Sequence, residues 1–407
     1  MKFLYHHRTQ GRGGEGLHIA HLVRALEREG HHVEIVSPPG IDPLASAGQV
    51  PVDKVDERAG THDETAKTRG VSGLWRWVSV HCPQVLFELF ELAYNAMAAA
   101  RLLPALRRNR DAVFYERYAF YLLAGVWLAR LFRLPILLEV NEVAGIERAR
   151  AQRLVPVMRW VERRVFRRAD AIFAVSSFLR QRVIAQGVPA ERVHVVPNAV
   201  EPTWLESAAH GAAVRQRLQL GDGPVAGFVG WFDRWDRLDL IVEVLKELEP
   251  QLPELRLILV GSGPAIKEVK ARADALGLDG RLVLTGPVPR EEVRDYIDAM
   301  DICALPDSNP FGSPIVMFEF MAMGKPVVAP DIQPVRDVVR HRENGWIIAK
   351  GDRQQLREAI HELATNRQLR RTLGACARQT IATQHTWDAN ARTVAMKAEQ
   401  LLATRRE

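Results

Sequence analysis

Residues 301–330, DICALPDSNPFGSPIVMFEFMAMGKPVVAP, contain the signals of one complete strand–helix–strand unit. DICALP and KPVVAP are short apolar runs of the kind found in strands that are buried on both faces. Between them, Ser313 is predicted to be the N-cap of a helix, Pro314 its first residue and Gly324 its C-terminal stop. Strands connected by a helix lie parallel in one sheet, so this stretch predicts an α/β fold.

The same alternation of strands and helices occupies most of the chain, in two blocks. The predicted strands of the first block are KFLYHH, HHVEIVSP, DAVFYERY, PILLEVNE, DAIFAVSS and ERVHVVPN. Those of the second block are PVAGFVGWF, LRLILVGSG, RLVLTGPV, DICALP, KPVVAP and GWIIAKGD. Each block predicts a doubly wound, Rossmann-like domain. A chain of 407 residues is also too long for a single comfortable core.

The domain boundaries follow from where the alternation stops and restarts. We expect an N-terminal domain at 1–200, a linker at 201–223 and a C-terminal domain at 224–385, with a helix at 386–407 that crosses back to the N-terminal domain. Ligands of doubly wound sheets bind beyond the carboxyl ends of the strands. Two such domains facing one another therefore predict an interdomain cleft that holds the functional site.

Two segments depart from this alternation. Residues 40–72 are polar and have no strand signal, which is typical of a mobile or acceptor-side loop. Residues 74–110 combine Trp75 and Trp77 with a helical apolar pattern and a basic end. This segment either lies on an anionic membrane surface or forms a packed helix pair.

The composition, 47% hydrophobic and 26% charged, is that of a soluble globular protein. The longest uncharged apolar run, 118–129, is well short of the roughly 18 residues of a membrane span, and the amino terminus lacks the features of a secretory signal. The cysteines Cys82, Cys303 and Cys376 are far apart, which excludes a disulfide framework and a zinc-binding spacing. We therefore expect a protein of the reducing cytoplasm.

The charge is distributed unevenly along the chain. The first 200 residues contain 28 Lys and Arg against 20 Asp and Glu, whereas the whole chain has a net charge of +6. A basic first half suggests that one domain meets an anionic partner, such as a membrane surface, nucleic acid or a phosphorylated substrate. The alternative is a scatter of solvated surface arginines.

Two glycine turns follow predicted strands, one in each domain. GRGGEGLH places Gly13 and Gly14 before a helix, and VGSGP places Gly261 and Gly263 after a strand. Glycines let the backbone approach a ligand, and a helix amino terminus favours phosphate, although a simple tight turn is the alternative. Neither turn matches the G-x-G-x-x-G dinucleotide pattern, which disfavours a nicotinamide enzyme.

Glu319 is the acid of the predicted helix in the opening stretch. It lies five residues beyond Pro314, about 7 to 8 Å along a helix axis. A diphosphate on the helix amino terminus would bring a ribose near this carboxylate, which can accept two hydroxyl hydrogen bonds at once. The stretch therefore predicts a binding site for a nucleoside diphosphate.

With these motifs the chain resembles the retaining glycosyltransferases of family 4, which have the GT-B fold of two facing Rossmann-like domains. The segments that carry the resemblance are GRGGEGLHIAHLVRALEREGHHVEIVSP, YERYAFYLLAGVWLAR, LLEVNE, VHVVPNAV, GFVGWFDRW, LVGSGP, GSPIVMFEFMAMGKPVVAP and NGWIIAKGD. The resemblance implies that Glu319 binds the donor ribose, that Val288 borders the base and that Gly13 and Gly14 approach the donor phosphates. The other donor-binding residues it implies are Gly261, Gly263, Gly312, Ser313, Pro314 and Ile315.

The sequence also departs from the pattern of that family. A second glutamate that contacts the donor sugar is replaced by Phe311, and a lysine of a common variant is replaced by Val316. An arginine and a lysine near the donor phosphates are replaced by Trp231 and Asp236. Two nearby arginines, Arg234 and Arg237, are the candidates to take over their catalytic role.

Retaining enzymes of this family are thought to need no protein nucleophile, so the protein contributes positioning and charge stabilisation. Asn141 is expected to touch the donor sugar or the acceptor, or else only to turn the chain into the next helix. Arg12 and Glu142 are expected on the acceptor side. Arg117 is expected to bind an anionic acceptor or to form a buried ion pair with Glu116 or Glu139.

The sequence therefore predicts a cytoplasmic, metal-independent retaining glycosyltransferase without a cofactor. Its donor is a nucleotide-diphosphate sugar, and its acceptor is a glycan, a lipid-linked molecule or a small molecule in surface polysaccharide or glycolipid synthesis. An anionic surface on the inner face of the membrane is a candidate partner, and nucleic acid is not expected. The alternatives are a catalytically degenerate nucleotide-sugar-binding subunit and a GT-B nucleotide-sugar epimerase.

Overall fold

A computed structural model describes residues 1–11, 13–46, 84–146, 152–206 and 209–405. The chain divides into two compact units. The first consists of residues 1–196 together with 391–407, and the second of residues 197–390. Within the described part of the chain, none of the helices is both long and apolar enough to span a bilayer.

The first unit contains a six-stranded parallel sheet in the order β2-β1-β3-β4-β5-β6. Its strands are β1 (Lys2–His6), β2 (His32–Val36), β3 (Val113–Arg117), β4 (Ile136–Val140), β5 (Ala171–Ala174) and β6 (Val193–Val195). Every residue of β3, β4 and β5 is buried, as expected for parallel strands covered on both faces. The helices are α1 (Gly13–Arg28), α2 (Pro43–Ser46), α3 (Gln84–Arg108), α4 (Ala124–Leu131), α5 (Val155–Arg168) and α6 (Ser177–Ile184), with a 3₁₀ turn at Ala190–Arg192.

The second unit contains another six-stranded parallel sheet, in the order β12-β11-β10-β7-β8-β9. Its strands are β7 (Val225–Trp231), β8 (Arg256–Ser262), β9 (Leu282–Gly286), β10 (Ile302–Ala304), β11 (Val327–Pro330) and β12 (Trp346–Ile348). The helices are α7 (Thr203–Glu206), α8 (Gly211–Arg217), α9 (Leu238–Glu247), α10 (Ile266–Ala275), α11 (Val293–Asp298), α12 (Ile315–Ala322), α13 (Gln333–Arg336), α14 (Arg353–Thr365) and α15 (Arg367–Gln384). Shorter 3₁₀ turns lie at Arg234–Asp236 and Arg290–Glu292.

All twelve predicted strands are present, and the predicted α/β class with two doubly wound parallel sheets is confirmed. Residues 201–223, where we predicted a linker, belong to the second unit and contain α7 and α8. The amide of Gly211 donates to Asp298 at 3.0 Å there. The last helix, α16 (Trp387–Ala403), begins in the second unit, and residues 391–407 belong to the first.

The segments outside the strand–helix alternation are described only in part. Residues 84–108 form the single helix α3. Residues 47–83 lie outside the described residues, so the predicted loop at 40–72 is described only as far as α2, and Trp75 and Trp77 are not described. The membrane contact predicted for residues 74–110 stays a prediction.

The helix of the opening stretch, α12, ends as predicted but begins differently. Gly324 has φ +66°, and the amides of Gly324 and Lys325 donate to the carbonyls of Met321 and Phe320 at 3.0 and 3.1 Å, a Schellman stop. The prediction of Ser313 as the N-cap is wrong, because Pro314 occupies that position and makes no side-chain cap. The hydroxyl of Ser313 instead accepts from the amide of Asn198 at 3.0 Å, a contact between residues far apart in sequence.

Helices α12 and α15 pack closely where Gly324 meets Gly374. A Cβ added to Gly374 would lie 1.9 Å from the carbonyl oxygen of Gly324. We therefore expect Gly374→Ala to lower the free energy of unfolding by about 1–3 kcal/mol, the usual cost of overpacking, although alanine favours a helix. Urea denaturation measures the change. Cys376→Ala, an exposed position on the same helix, is the control, and equal stability of the two variants would contradict the packing argument.

Candidate active site

The glycine turns of the second unit lie at the carboxyl ends of β7 and β8, which are neighbours in the sheet. Gly261 has φ +131°, and a Cβ on it would lie 1.9 Å from the carbonyl oxygen of Gly230. A Cβ on Gly263 would lie 2.5 Å from the backbone nitrogen of Phe232. Any other residue at Gly261 or Gly263 would push the two strand ends apart. These glycines therefore leave a surface made of backbone at this edge of the sheet.

The 3₁₀ turn Arg234–Asp236 follows β7 and carries a buried acid. The Oδ2 atom of Asp236 accepts from the amide of Asp233 at 2.9 Å. Burial, with the negative charges of Asp233 and Asp307, raises the pKa of Asp236 to about 8, against the effect of that hydrogen bond. The position where the family resemblance implies a lysine thus holds a carboxyl group that is largely protonated at neutral pH.

The two arginines predicted to be catalytic flank Asp236 in sequence and have acidic partners in the structure. Arg234 pairs with Glu268 at 2.8 Å and is largely exposed. Arg237, in the left-handed region with φ +49°, pairs with Asp239 at 2.9 Å. Both side chains are thus held by neighbouring carboxylates. Lys350 supplies a further positive charge, 3.7 Å from Asp307, and sequence reasoning missed it.

Glu319 on α12 is buried, with 3% of its surface exposed, and its Oε1 atom accepts from the guanidinium of Arg290. Arg290 begins the 3₁₀ turn Arg290–Glu292, two residues after Val288, and its guanidinium lies 5.0 Å from the ring centre of Trp204. Burial alone would lower the pKa of Arg290, but the charge and hydrogen bond of Glu319 outweigh it and raise the pKa. The structure therefore brings the predicted ribose-binding acid and the turn of Val288 together, through an arginine that the sequence did not identify.

The loop before α12 is fixed by polar contacts. The side chain of Asn309 accepts from the amide of Gly312 at 2.6 Å, and a Cβ on Gly312 would lie 2.8 Å from the same oxygen. The side-chain amide of Asn198 donates to the carbonyl of Ser313 at 2.6 Å. Pro314 provides no side-chain cap, so the described residues include no N-cap side chain for the first amides of the helix at Ile315. Such amides suit an anion.

The first unit has a polar network at the carboxyl ends of β3 and β4, centred on the buried Glu139. It accepts from the Arg117 guanidinium, from Tyr115 at 2.9 Å and from Asn141 at 2.6 Å, and His18 lies 2.9 Å away. Burial favours the protonated form, but the charges of His18 and Arg117 outweigh it and hold the pKa of Glu139 well below its usual range. The structure shows the predicted ion pair of Arg117 with Glu139, and the predicted contact of Arg117 with an anionic acceptor stays a prediction. Sequence reasoning named Glu139 only as a possible partner of Arg117 and missed its place at the centre of a network.

The remaining residues predicted in the first unit lie at the end of β1 or beyond β4. Gly13 begins α1 with φ +60°, and a Cβ on Gly16, which was not predicted, would lie 2.0 Å from the carbonyl oxygen of Gly11. Gly14 is the second residue of α1. Glu142 is half-buried just beyond β4. Arg12 lies outside the described residues.

Two buried histidines accompany these residues at the end of β1. His6 Nδ1 lies 2.6 Å from Glu116 Oε2, and His7 Nε2 lies 2.8 Å from Ser37 Oγ. Burial, with the positive charges of His6 and Arg117, lowers the pKa of His7 to about 3. His7 is thus neutral at physiological pH. Within the described ranges, no group of three His, Cys, Asp or Glu side chains could hold a metal ion.

Two family models match the chain. "Glycosyltransferase Family 4" matches residues 12–204, and "Glycosyl transferases group 1" matches residues 212–380. The D-inositol 3-phosphate glycosyltransferase of Xylanimonas cellulosilytica is 28% identical over 91% of this chain and 88% of that protein. The GDP-mannose-dependent alpha-(1-6)-phosphatidylinositol monomannoside mannosyltransferase of Mycobacterium tuberculosis is 25% identical over 65% of this chain and 72% of that protein.

Solved structures are similar over nearly the whole chain. Anabaena HepE in complex with UDP gives a TM-score of 0.71 at 17% identity, over 98% of this chain and 100% of that chain. Sucrose-phosphate synthase from Thermosynechococcus elongatus gives a TM-score of 0.72 at 18% identity, over 99% of this chain and 100% of that chain. These similarities show the GT-B fold.

The raised pKa of Asp236 predicts a pH-dependent effect on stability. The folded protein keeps this proton up to about pH 8, whereas an unfolded chain releases it near pH 4. The wild type therefore loses stability as pH rises from about 4 to 8. We expect Asp236→Asn to be the more stable protein at pH 8 by roughly 2 kcal/mol or more, since a tenfold change in proton affinity corresponds to about 1.4 kcal/mol.

Urea denaturation between pH 4 and pH 9 tests this expectation. The difference between Asp236→Asn and wild type should grow up to about pH 8 and then level off, since both states are ionised above it. The exposed Asp222→Asn is the matched control, and its curve should stay parallel to that of the wild type. A constant difference for Asp236→Asn would show that its carboxyl group titrates normally.

The ion pair of Glu139 predicts an effect of opposite pH dependence. Glu139→Gln leaves Arg117 buried without a counter-ion, which should cost about 3 kcal/mol of unfolding free energy at pH 7. Tyr115→Phe removes only one hydrogen bond to the same carboxylate and should cost about 1 kcal/mol. Because the pKa of Glu139 is lowered, its contribution is present above about pH 4.5 and is lost as pH falls below that value. Urea denaturation at several pH values measures these losses. This account is contradicted if the two variants lose equal unfolding free energy at pH 7, or if the difference between Glu139→Gln and the wild type does not become smaller in acid.

Proposed function

Because the chain belongs to glycosyltransferase family 4 and is a retaining enzyme that uses a nucleotide sugar, we propose that the second unit binds the donor through Glu319 and the amino terminus of α12. The observation that supports this most is the combination of a buried carboxylate with a helix that lacks a side-chain cap. The first attracts the two hydroxyl groups of a ribose, and the second attracts a diphosphate.

The geometry of α12 sets the spacing between these two contacts. Glu319 lies four residues after Ile315, the first residue of the helix, which is about 6 Å along the axis. Arg290 occupies Oε1 of Glu319, and no described residue donates to Oε2. Arg290 therefore fixes the orientation of the carboxylate, while the other oxygen can accept from a ribose. Val288, two residues before Arg290, is proposed to border the base.

Charge on the departing diphosphate has to be stabilised without the usual arginine and lysine of the family. We assign this role to the first amides of α12 and to Arg237, as the sequence predicted, with Lys350 as a further candidate. The proton on Asp236 removes one negative charge from this corner at neutral pH, which lessens repulsion of the phosphates. Arg234 stays a weaker candidate, because it lies exposed against Glu268.

The first unit is proposed to position the acceptor and the donor sugar. No step requires a protein nucleophile: the bond from the anomeric carbon to the diphosphate breaks, and the acceptor hydroxyl adds on the same face as its proton passes to the departing phosphate. The residues of this unit then act by orientation. Glu139 holds the amide of Asn141 and the guanidinium of Arg117, and these two with Glu142 and Arg12 are the groups proposed to meet the reactants.

The acceptor is proposed from the names of the relatives. The names of two relatives include a phosphatidylinositol monomannoside, for the mannosyltransferase of Mycobacterium tuberculosis, and D-inositol 3-phosphate, for the glycosyltransferase of Xylanimonas cellulosilytica. One of these molecules is a lipid and the other is a small molecule. We propose a hydroxyl group of such a molecule, or of a glycan, in surface polysaccharide or glycolipid synthesis. UDP-glucose and GDP-mannose are the first donors to test, because HepE was solved with UDP-glucose and the mannosyltransferase uses GDP-mannose.

Phe311, Val316, Trp231 and Asp236 all depart from the family pattern, so a degenerate binding subunit and an epimerase remain alternative functions. One experiment distinguishes them from a transferase. The protein is incubated with each donor, and the products are separated by chromatography. Slow hydrolysis of one donor supports a transferase. Binding without turnover identifies a degenerate nucleotide-sugar-binding subunit, and interconversion of two donors identifies an epimerase.

Glu319→Gln tests the proposed ribose contact. The amide keeps the shape but turns one acceptor into a donor, and a charge-assisted hydrogen bond is worth roughly 1.5–3 kcal/mol. We expect the dissociation constant of the preferred donor to rise by roughly tenfold to a hundredfold, measured by titration calorimetry. The melting temperature should change little, because the guanidinium of Arg290 is partly exposed and can be solvated.

Arg290→Gln is the matched control for this prediction. It breaks the same ion pair but leaves the carboxylate that accepts from the ribose, so it should weaken donor binding less than Glu319→Gln does. Equal losses would indicate that only the ion pair matters. An unchanged dissociation constant in Glu319→Gln would show that Glu319 is a structural acid.

A further inference from the structure

Helix α5 has one exposed and one buried face. The buried face consists of Met158, Val161, Glu162, Val165 and Phe166. The residues of the outer face recur at helical spacing. They are Pro156, Val157, Arg159, Trp160, Arg163, Arg164, Arg167 and Arg168. From Pro156 to Arg167 this face extends about 16 Å along the helix.

The arginines of this face have no acidic partner in the part of the chain that the structure describes. None of the described residues places a carboxylate within ion-pair distance of the five arginines, Arg159, Arg163, Arg164, Arg167 and Arg168. The one acid of the helix, Glu162, is turned inward, where it accepts from Tyr118 at 2.9 Å and from the amide of Ala144 at 2.7 Å. By contrast, exposed arginines of the second unit such as Arg340 and Arg342 pair with acids.

Large apolar side chains are exposed beside these charges. Trp160 is 54% exposed, and the guanidinium of Arg164 lies 3.9 Å from its ring centre. On the neighbouring helix α4, Trp127 is 46% and Leu131 is 74% exposed, and Arg168 lies 4.4 Å from the ring of Trp127. We call these two tryptophans, Leu131 and the five arginines the arginine–tryptophan face.

We propose that the arginine–tryptophan face docks the enzyme on the surface of an anionic phospholipid bilayer. Guanidinium groups bind phosphate with two parallel hydrogen bonds, and tryptophan prefers the boundary between headgroups and acyl chains. Single-stranded nucleic acid is the less suitable partner. It would stack bases on open aromatic rings, whereas arginines lie over both rings here and Leu131 offers no stacking surface.

This docking surface differs from the one that the sequence suggested. The sequence placed the membrane contact at residues 74–110, from tryptophans and a basic end. The arginine–tryptophan face lies on α4 and α5 and is recognised only because the structure shows which arginines lack acids. The proposal concerns attachment alone and does not depend on the identity of the donor.

Co-sedimentation with vesicles tests the proposal on the full chain. Vesicles of equal parts phosphatidylglycerol and phosphatidylcholine should bind the protein, binding should fall as salt rises, and pure phosphatidylcholine should bind little. Each arginine near an anionic surface contributes roughly fivefold to the affinity. The triple variant Arg159→Gln, Arg163→Gln, Arg167→Gln should therefore bind about a hundredfold more weakly.

A second triple variant, Arg340→Gln, Arg342→Gln, Arg353→Gln, removes the same net charge from the second unit, where each arginine is half exposed or more and has an acidic partner. It should keep nearly the wild-type affinity. Trp160→Ala keeps every charge, and we expect it to weaken binding and to reduce the fluorescence quenching by brominated lipid. Both triple variants should melt like the wild type.

The proposal is overturned if the first triple variant binds vesicles like the wild type, or if the two triple variants lose equal affinity. It is also overturned if neutral vesicles bind as well as anionic ones, or if a single-stranded oligonucleotide binds the face more tightly than anionic vesicles do. Donor hydrolysis is measured on the same variants without vesicles and should be unchanged. Vesicle binding and hydrolysis are separate readouts, so failure of one proposal is distinguishable from failure of the other.

Discussion

A parallel strand that is buried on both faces can present polar groups only near its end. β3, β4 and β5 are buried along their whole length, and the charged residues of β3 and β4 occupy the last positions before or at the carboxyl end. A buried charge is tolerated only with a partner, which explains why Arg117 and Glu139 meet there. Burial of the strands therefore determines where Arg117 and Glu139 lie, whether or not a ligand is bound.

The second unit meets the same constraint with glycine. At the ends of β7 and β8 the two turns approach so closely that no side chain fits at Gly261 or Gly263, so functional groups come from the segments that follow. These are the turn with Asp236, the turn with Arg290 and the beginning of α12. The site is then poor in free positive charge. Asp236 is largely protonated at neutral pH, and Arg237 and Arg234 lie against carboxylates. The helix amides remain as a preorganised source of positive potential.

In the first unit, helix α5 has a buried acid on its inner side and exposed arginines on its outer side. Inside the unit, Glu162 is satisfied by hydrogen bonds, and burial still raises its pKa. On the opposite side of the same helix, the five arginines of the arginine–tryptophan face have no acidic partner among the described residues, and they lie beside exposed tryptophans. Leaving like charges together costs stability unless a partner of opposite charge is present. An anionic surface provides such a partner.

The sequence by itself determined the twelve strands, the α/β class, the family and the stop of α12 at Gly324. These features depend on local patterns: apolar runs for buried strands, and a glycine where the backbone must adopt a positive φ. Only the tertiary structure decided that Arg117 pairs with Glu139, that Arg290 holds Glu319, that Ser313 is used by Asn198 rather than by its own helix, and that Asp236 is buried and protonated. Each of these depends on which residues, distant in sequence, become neighbours, and on how much water remains around them. A local pattern contains neither piece of information, because packing sets both the partner and the dielectric environment of a charge.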